Sequence, residues 1–255
     1  GTWLLARASP SLAHESLSLA VSHRCWCVSM TGIMGESLAT AGRAKAVPAD
    51  AVGGDFYDVL ALEDGRLAVA VGDVAGHGVS SGLVMSMAKS ALAVQVTFNP
   101  EVAAVFTTLN RMVFQSARKR LLATLCYALI DPVRREMRFA SAGHLFPYRI
   151  SRLGKVESLE SVAYPLGVRE FLDIDSHTAR LDPGDIIFLC SDGVVEARKE
   201  GSDEHFGFER LERVLEDFGG HGASVVRDKV LAALDAFTLG AEREDDLTVL
   251  VLRMP

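Results

Sequence analysis

The chain is poor in cysteine, tryptophan and proline, with four, two and eight in 255 residues. So few thiols exclude a disulfide-stapled scaffold. Cys25-Trp26-Cys27 has the wrong spacing for a zinc knuckle, and no second pair follows it. Cys126 and Cys190 fall inside apolar runs, where a reduced thiol behaves as a small hydrophobe. That usage points to a reducing, cytoplasmic setting. Basic residues are the minority, 26 Lys+Arg against 33 Asp+Glu, so no extended cationic face is available for nucleic acid. No stretch reaches the roughly 18 consecutive apolar residues of a membrane span. A Cys-x5-Arg loop and a Walker-type P-loop are also missing.

What remains is ordinary globular material, 49% hydrophobic and 23% charged, long enough for one α/β domain with a core that needs no staples. Residues 1–35 lack periodicity, and Trp3-Leu4-Leu5-Ala6 followed by Arg7 does not have the order of a signal peptide. They are expected to form a poorly ordered connector or fragment edge, with the domain proper over residues 36–255.

Four aspartate-bearing segments dominate that domain: Val52 to Asp58, Val71 to Gly78, Cys190 to Gly193, and Glu244 to Thr248. Three abut β-prone runs, Arg66 to Val71, Ile186 to Cys190, and Leu247 to Leu252. Carboxylates at the ends of buried strands destabilise the fold unless a cation compensates them. About four such charges match two divalent ions, and the spacing predicts a two-metal hydrolase site.

Elsewhere the pattern predicts a hairpin, Asp55 to Leu62 and Arg66 to Val71 around Glu63-Asp64-Gly65. A helix over Gly82 to Val96 is apolar nearly all round, as in a sandwiched helix. Asn99 as N-cap and Pro100 as first helical residue predict a second helix, closed by Arg118, Lys119 and Arg120. Strands follow over Leu121 to Ile130, Glu136 to Ala140, Tyr148 to Ile150, Lys155 to Leu159 and Ile186 to Cys190. Late helices over Phe208 to Phe218 and Ala223 to Phe237 precede a last strand, Leu247 to Arg253. This order is not a strict βαβα alternation. It implies an α+β fold, antiparallel sheets in a sandwich flanked by helix pairs.

Each acidic motif alone reads as an ordinary turn; together they carry more. Gly-Gly-Asp-Phe-Tyr-Asp, Gly-Asp-Val-Ala-Gly-His-Gly, Ser-Ala-Gly-His-Leu-Phe-Pro (141–147), Pro-Leu-Gly-Val (165–168), Ser-Asp-Gly-Val-Val-Glu and Asp-Asp-Leu-Thr-Val appear in order. The set resembles the SpoIIE-like branch of the PPM metal-dependent serine/threonine protein phosphatases, from about Val47 to Arg253. The resemblance implies two Mn²⁺ or Mg²⁺ ions and a metal-bridging water that hydrolyses phosphoserine or phosphothreonine. It implies a protein substrate of the anti-sigma-factor antagonist type in bacterial signal transduction. It makes Asp55, Asp73, Asp192 and Asp245 the catalytic metal-site residues, with the Val74 carbonyl beside Asp73, and Asp246 the adjacent alternative to Asp245. Neighbours in a strand point to opposite sides, so only one of that pair should face the metals.

His77 is read as a turn histidine and His144 as one that bonds backbone near the core. An upstream sensor domain or partner, and a homodimer through the first helix pair, are compatible with the pattern. Two other classes compete: a catalytically silent regulatory module of the same fold, and a two-metal nucleotidyl cyclase suggested by Gly53-Gly54-Asp55-Phe56. The cyclase would want an acid where Phe56 stands.

Overall fold

The computed structural model describes residues 42–47, 53–76, 78–116, 121–241 and 244–255, the first group as backbone only. The connector expected over 1–35, His77 and the basic trio 118–120 lie outside the described residues.

Strands β1 (Gly42–Val47), β2 (Phe56–Ala61) and β3 (Leu67–Val74) precede helices α1 (Val79–Phe98) and α2 (Val102–Ser116). Then come β4 (Ala123–Asp131), β5 (Glu136–Ala142), β6 (Tyr148–Ile150), β7 (Val156–Ser158), β8 (His177–Arg180) and β9 (Ile186–Cys190). A 3-10 turn (Asp192–Val194), α3 (Gly207–Phe218), α4 (Ala223–Thr238) and β10 (Leu247–Arg253) close the chain. Among the described residues two five-stranded sheets form, β1-β10-β9-β6-β7 and β2-β3-β4-β5-β8, with every pairing antiparallel.

Strand alternation builds the layers. On β3, Leu67, Val69 and Val71 enter the core between the sheets, while Ala68, Ala70 and Val74 lie under α1 and α2. On β9, Ile187 and Leu189 enter that same inter-sheet core, while Ile186, Phe188 and Cys190 lie under α3 and α4. On β10, Leu250 and Leu252 point inward, and Leu247, Val249 and Val251 point to the helices. The result is a helix–sheet–sheet–helix sandwich, as the sequence implied.

The β2–β3 hairpin turns through Gly65 at φ 84, with the Leu62 N–H donating to the Arg66 carbonyl at 2.9 Å. The predicted cap of α2 is displaced. Asn99 instead closes α1, its N–H donating to Gln95 O at 2.8 Å, while its side-chain oxygen accepts the Glu101 N–H at 3.0 Å. Intrahelical bonding in α2 begins from the Glu101 carbonyl, so Pro100 lies before the helix.

The sandwiched reading of α1 is also corrected. Val84, Ala88, Leu92 and Val96 form a buried row, and burying a leucine such as Leu92 contributes about 2 kcal/mol. The opposite row, Val79, Leu83, Met87, Val94 and Phe98, is exposed. By length and composition alone α1 could cross a bilayer, but its buried row packs against the sheet like a core helix. Lys89 ties α1 to β2, donating to Tyr57 O at 2.6 Å and pairing with Asp58 at 3.2 Å.

Candidate metal centre

The inward rows of β3, β9 and β10 are apolar along most of their length and turn polar at one end of the sandwich. Asp73 continues the row of Leu67, Val69 and Val71. Ser191 continues that of Ile187 and Leu189, while Asp246 and Thr248 continue that of Leu250 and Leu252. Antiparallel register brings the start of β2 beside the end of β3, and the end of β9 beside the start of β10. The two sheets meet there through Asp55, whose N–H donates to Asp246 Oδ2 at 3.2 Å.

Glycines permit the approach. A Cβ on Gly54 would fall 2.4 Å from the Val74 carbonyl oxygen and 2.5 Å from Asp73 Oδ1. One on Gly193 would fall 2.0 Å from the Asp246 carbonyl oxygen. Only a residue without a side chain leaves that space open.

Crowding sets the protonation. Burial pushes Asp55 up to about 8; the Ser191 and Thr248 hydroxyls oppose the shift, and Asp73 and Asp246 add to it. Burial pushes Asp73 up to about 7, helped by the charges of Asp192, Asp245 and Asp246. Asp192 and Asp245 are raised as well, again mainly by burial. Among the described residues, partial compensation comes from hydroxyls and backbone N–H groups rather than from Lys or Arg. Asp55 Oδ2 is buried with no hydrogen-bond partner. An all-oxygen cluster of like charges with an orphaned oxygen fits hard divalent cations such as Mg²⁺ or Mn²⁺.

The sequence-predicted residues Asp55, Asp73, Val74, Asp192 and Asp245 thus gather at one end of the fold. Glu196 was missed. Its N–H donates to the Asp192 carbonyl at 2.8 Å, and Asp192, Glu196 and Asp245 each offer a carboxylate oxygen within 4.8 Å of the others. Its position four residues after Asp192 was the available signal, since that spacing returns a side chain to the same face of a helical turn. The neighbouring acids Asp245 and Asp246 lie just before β10 and take different partners, though both charges bear on Asp73. Asp245 joins Asp192 and Glu196, while the buried Asp246 holds the Asp55 backbone.

Gly78-Val79-Ser80-Ser81-Gly82 has the Gly-x-Ser-x-Gly spacing of a nucleophile elbow. Ser80, however, lies exposed on the first turn of α1, and Ser81 donates to the Gly78 carbonyl at 3.0 Å. No described histidine is hydrogen-bonded to either. A recess of about 220 Å³ opens beside Asp245, lined by Glu196, Arg198, His205 and Glu244 among others.

Known proteins share both sequence and shape with this chain. Phosphoserine phosphatase RsbU of Bacillus subtilis is 31% identical over 216 residues, covering 82% of this chain and 62% of RsbU. The chain therefore spans less than two thirds of that relative's length. The SiaA-PP2C domain of Pseudomonas aeruginosa superposes with a TM-score of 0.78 at 23% identity, covering 86% of this chain and 88% of that one. The RsbU and RsbW domains of Rv1364c from Mycobacterium tuberculosis give 0.69 at 26% identity, over 84% of this chain and 61% of theirs. The fold is that of the PP2C domains. The model of the family described as Stage II sporulation protein E (SpoIIE) matches residues 63–255, and the chain belongs to that family.

Proposed function

We propose that this domain is a metal-dependent phosphatase that hydrolyses phosphoserine or phosphothreonine on a regulatory protein of the anti-sigma-factor antagonist type. The observation that carries it is the convergence of Asp55, Asp73, Asp192 and Asp245, from both sheets, on one crowded end without a basic partner among the described residues. The name phosphoserine phosphatase carried by RsbU supports the substrate class.

Asp73, Asp192 and Asp245 would hold two Mn²⁺ or Mg²⁺ ions, with the Val74 carbonyl beside Asp73. When bound, the ions would supply charge against the phosphoryl oxygens and an activated water at neutral pH. Asp55 keeps Oδ2 free to face a cation or accept a hydrogen bond from water, while Asp246 fixes its backbone. In-line displacement at phosphorus then needs no serine or cysteine from the chain.

The test is Mn²⁺-dependent release of phosphate from a phosphoserine protein, with p-nitrophenyl phosphate as a generic substrate. Release should stop on chelation and resume on adding metal. A folded, metal-loaded chain that turns over neither substrate would instead be a silent binding module.

The same proposal includes a homodimer across the exposed face of α1, with Leu83 and Phe98 in the contact. Leu83→Glu with Phe98→Glu should sediment as a monomer at concentrations where the native chain is a dimer. A native chain that stays monomeric at high concentration removes the dimer.

A further inference from the structure

We infer that His144 and Thr124 are positioning residues, a neutral hydrogen-bonded strut that sets the strand end bearing Asp73 against the strand end bearing Asp192. This rests on the proposed role of those two aspartates as metal ligands.

Thr124 stands opposite Asp73 in the β3–β4 register. Its Oγ1 accepts the Asp73 N–H at 3.2 Å, and the same oxygen lies 2.8 Å from His144 Nδ1. We assign the Thr124 hydroxyl proton to Nδ1, the arrangement that leaves the ring proton on Nε2, toward the Cys190 backbone, in one of the two neutral tautomers. Burial agrees, pushing His144 down to about 4.

The far side of the ring faces the other sheet. Nε2 is buried and lies against the Cys190 backbone without reaching an ordinary hydrogen bond. Cys190 ends β9, two residues before Asp192. The ring therefore spans from the backbone of one aspartate to the strand end that presents the other.

The turn that carries the ring is built to hold it. Gly143 adopts φ 68, and a Cβ there would meet Pro165 Cγ at 2.4 Å. The Ser141 hydroxyl donates to the His144 carbonyl at 2.7 Å, and the Gly143 N–H donates to Ala163 O at 3.0 Å. His144 thus lies in the core against the Cys190 backbone, and its Nδ1 has a side-chain partner besides, the hydroxyl that carries the Asp73 N–H.

The strut is tested by Mn²⁺ affinity, measured calorimetrically and by electron paramagnetic resonance without any substrate. Thr124→Val keeps the shape and removes the hydroxyl, while Thr124→Ser keeps the hydroxyl. His144→Gln gives up the Nδ1 contact, while His144→Asn retains a polar atom at that place. Thr124→Val and His144→Gln should each weaken Mn²⁺ binding about tenfold or more, the range seen when partners of metal ligands are lost. Thr124→Ser should stay near native, His144→Asn should lose less than His144→Gln because it keeps the Nδ1 contact alone, and the Val/Gln double variant should lose no more than either single one. The proposal is overturned by a Thr124→Val chain with native circular dichroism and native Mn²⁺ affinity. If the histidine variants fail to fold, the Val and Ser pair at Thr124 still decides. A native chain that binds Mn²⁺ but hydrolyses no phosphoester overturns the phosphatase assignment and leaves the strut standing. A native chain that binds no Mn²⁺ overturns both.

Discussion

Asp73→Asn lowers Mn²⁺-dependent phosphate release by about a thousandfold or more, a barrier increase of about 4 kcal/mol. The measurement is steady-state release from a phosphoserine protein at saturating Mn²⁺. Asp73 is the carboxylate most surrounded by others, with Asp192, Asp245 and Asp246 all pressing on its charge. Asparagine keeps its shape and its backbone bond to Thr124 but removes one negative charge from the centre of the cluster. Asp192→Asn and Asp245→Asn should fall in the same range, since both carboxylates share one cation-sized space with Glu196. Asp246→Asn is the discriminating control. Its amide oxygen can still accept the Asp55 N–H, so it should lose only about tenfold, like other residues that orient ligands. Equal collapse of Asp245→Asn and Asp246→Asn would contradict the division of labour between these two acids. Activity that survives Asp73→Asn would end the two-metal account.

The parts of this centre that were legible in the sequence are those with a strong local cause. Asp64-Gly65 marks a hairpin because Gly65 must adopt positive φ, and both strands formed where the apolar runs lie. Other features depend on tertiary surroundings that composition does not encode. β8 is an edge strand with its first two and last residues exposed, so His177–Arg180 carries no alternating pattern. Asn99 reads equally well as the end of one helix or the start of the next, and here its backbone and its side chain serve both. The apolar circumference of α1 says that the helix is greasy but not which side is covered. Thr124 and Thr248 are single small polar residues in strands, and Ser191 directly follows β9. Only the assembled sandwich reveals that two hydroxyls moderate Asp55 and the third carries the Asp73 N–H.

Removing metal should make stability fall as pH rises through neutrality toward about 8, the reverse of the behaviour of salt-bridged carboxylates. Folded Asp73 and Asp55 stand near 7 and 8, against 3.8 for the free side chain. Between those limits the folded apoprotein keeps protons that the unfolded chain releases. Stability is therefore lost as pH climbs, by roughly 1 kcal/mol per unit for each retained proton. His144 works in the opposite sense. Its folded value is about 4 against 6.5 for the free side chain, so below about pH 6.5 the unfolded chain gains a proton there and part of the slope cancels. The clean window is therefore about pH 6.5 to 8, read as a declining urea midpoint in the presence of chelator. Divalent cations select the deprotonated cluster, so Mn²⁺ should flatten or invert this slope and release protons as it binds. At about 100 times its dissociation constant it should add about 2.7 kcal/mol. Proton release is measured by titrating Mn²⁺ in two buffers of different ionisation enthalpy. An apoprotein equally stable at pH 6.5 and 8, or identical heats in both buffers, would mean that these carboxylates do not act as one charged cluster. If the slope is present and Mn²⁺ leaves it unchanged, the cluster is real but its cation is something else.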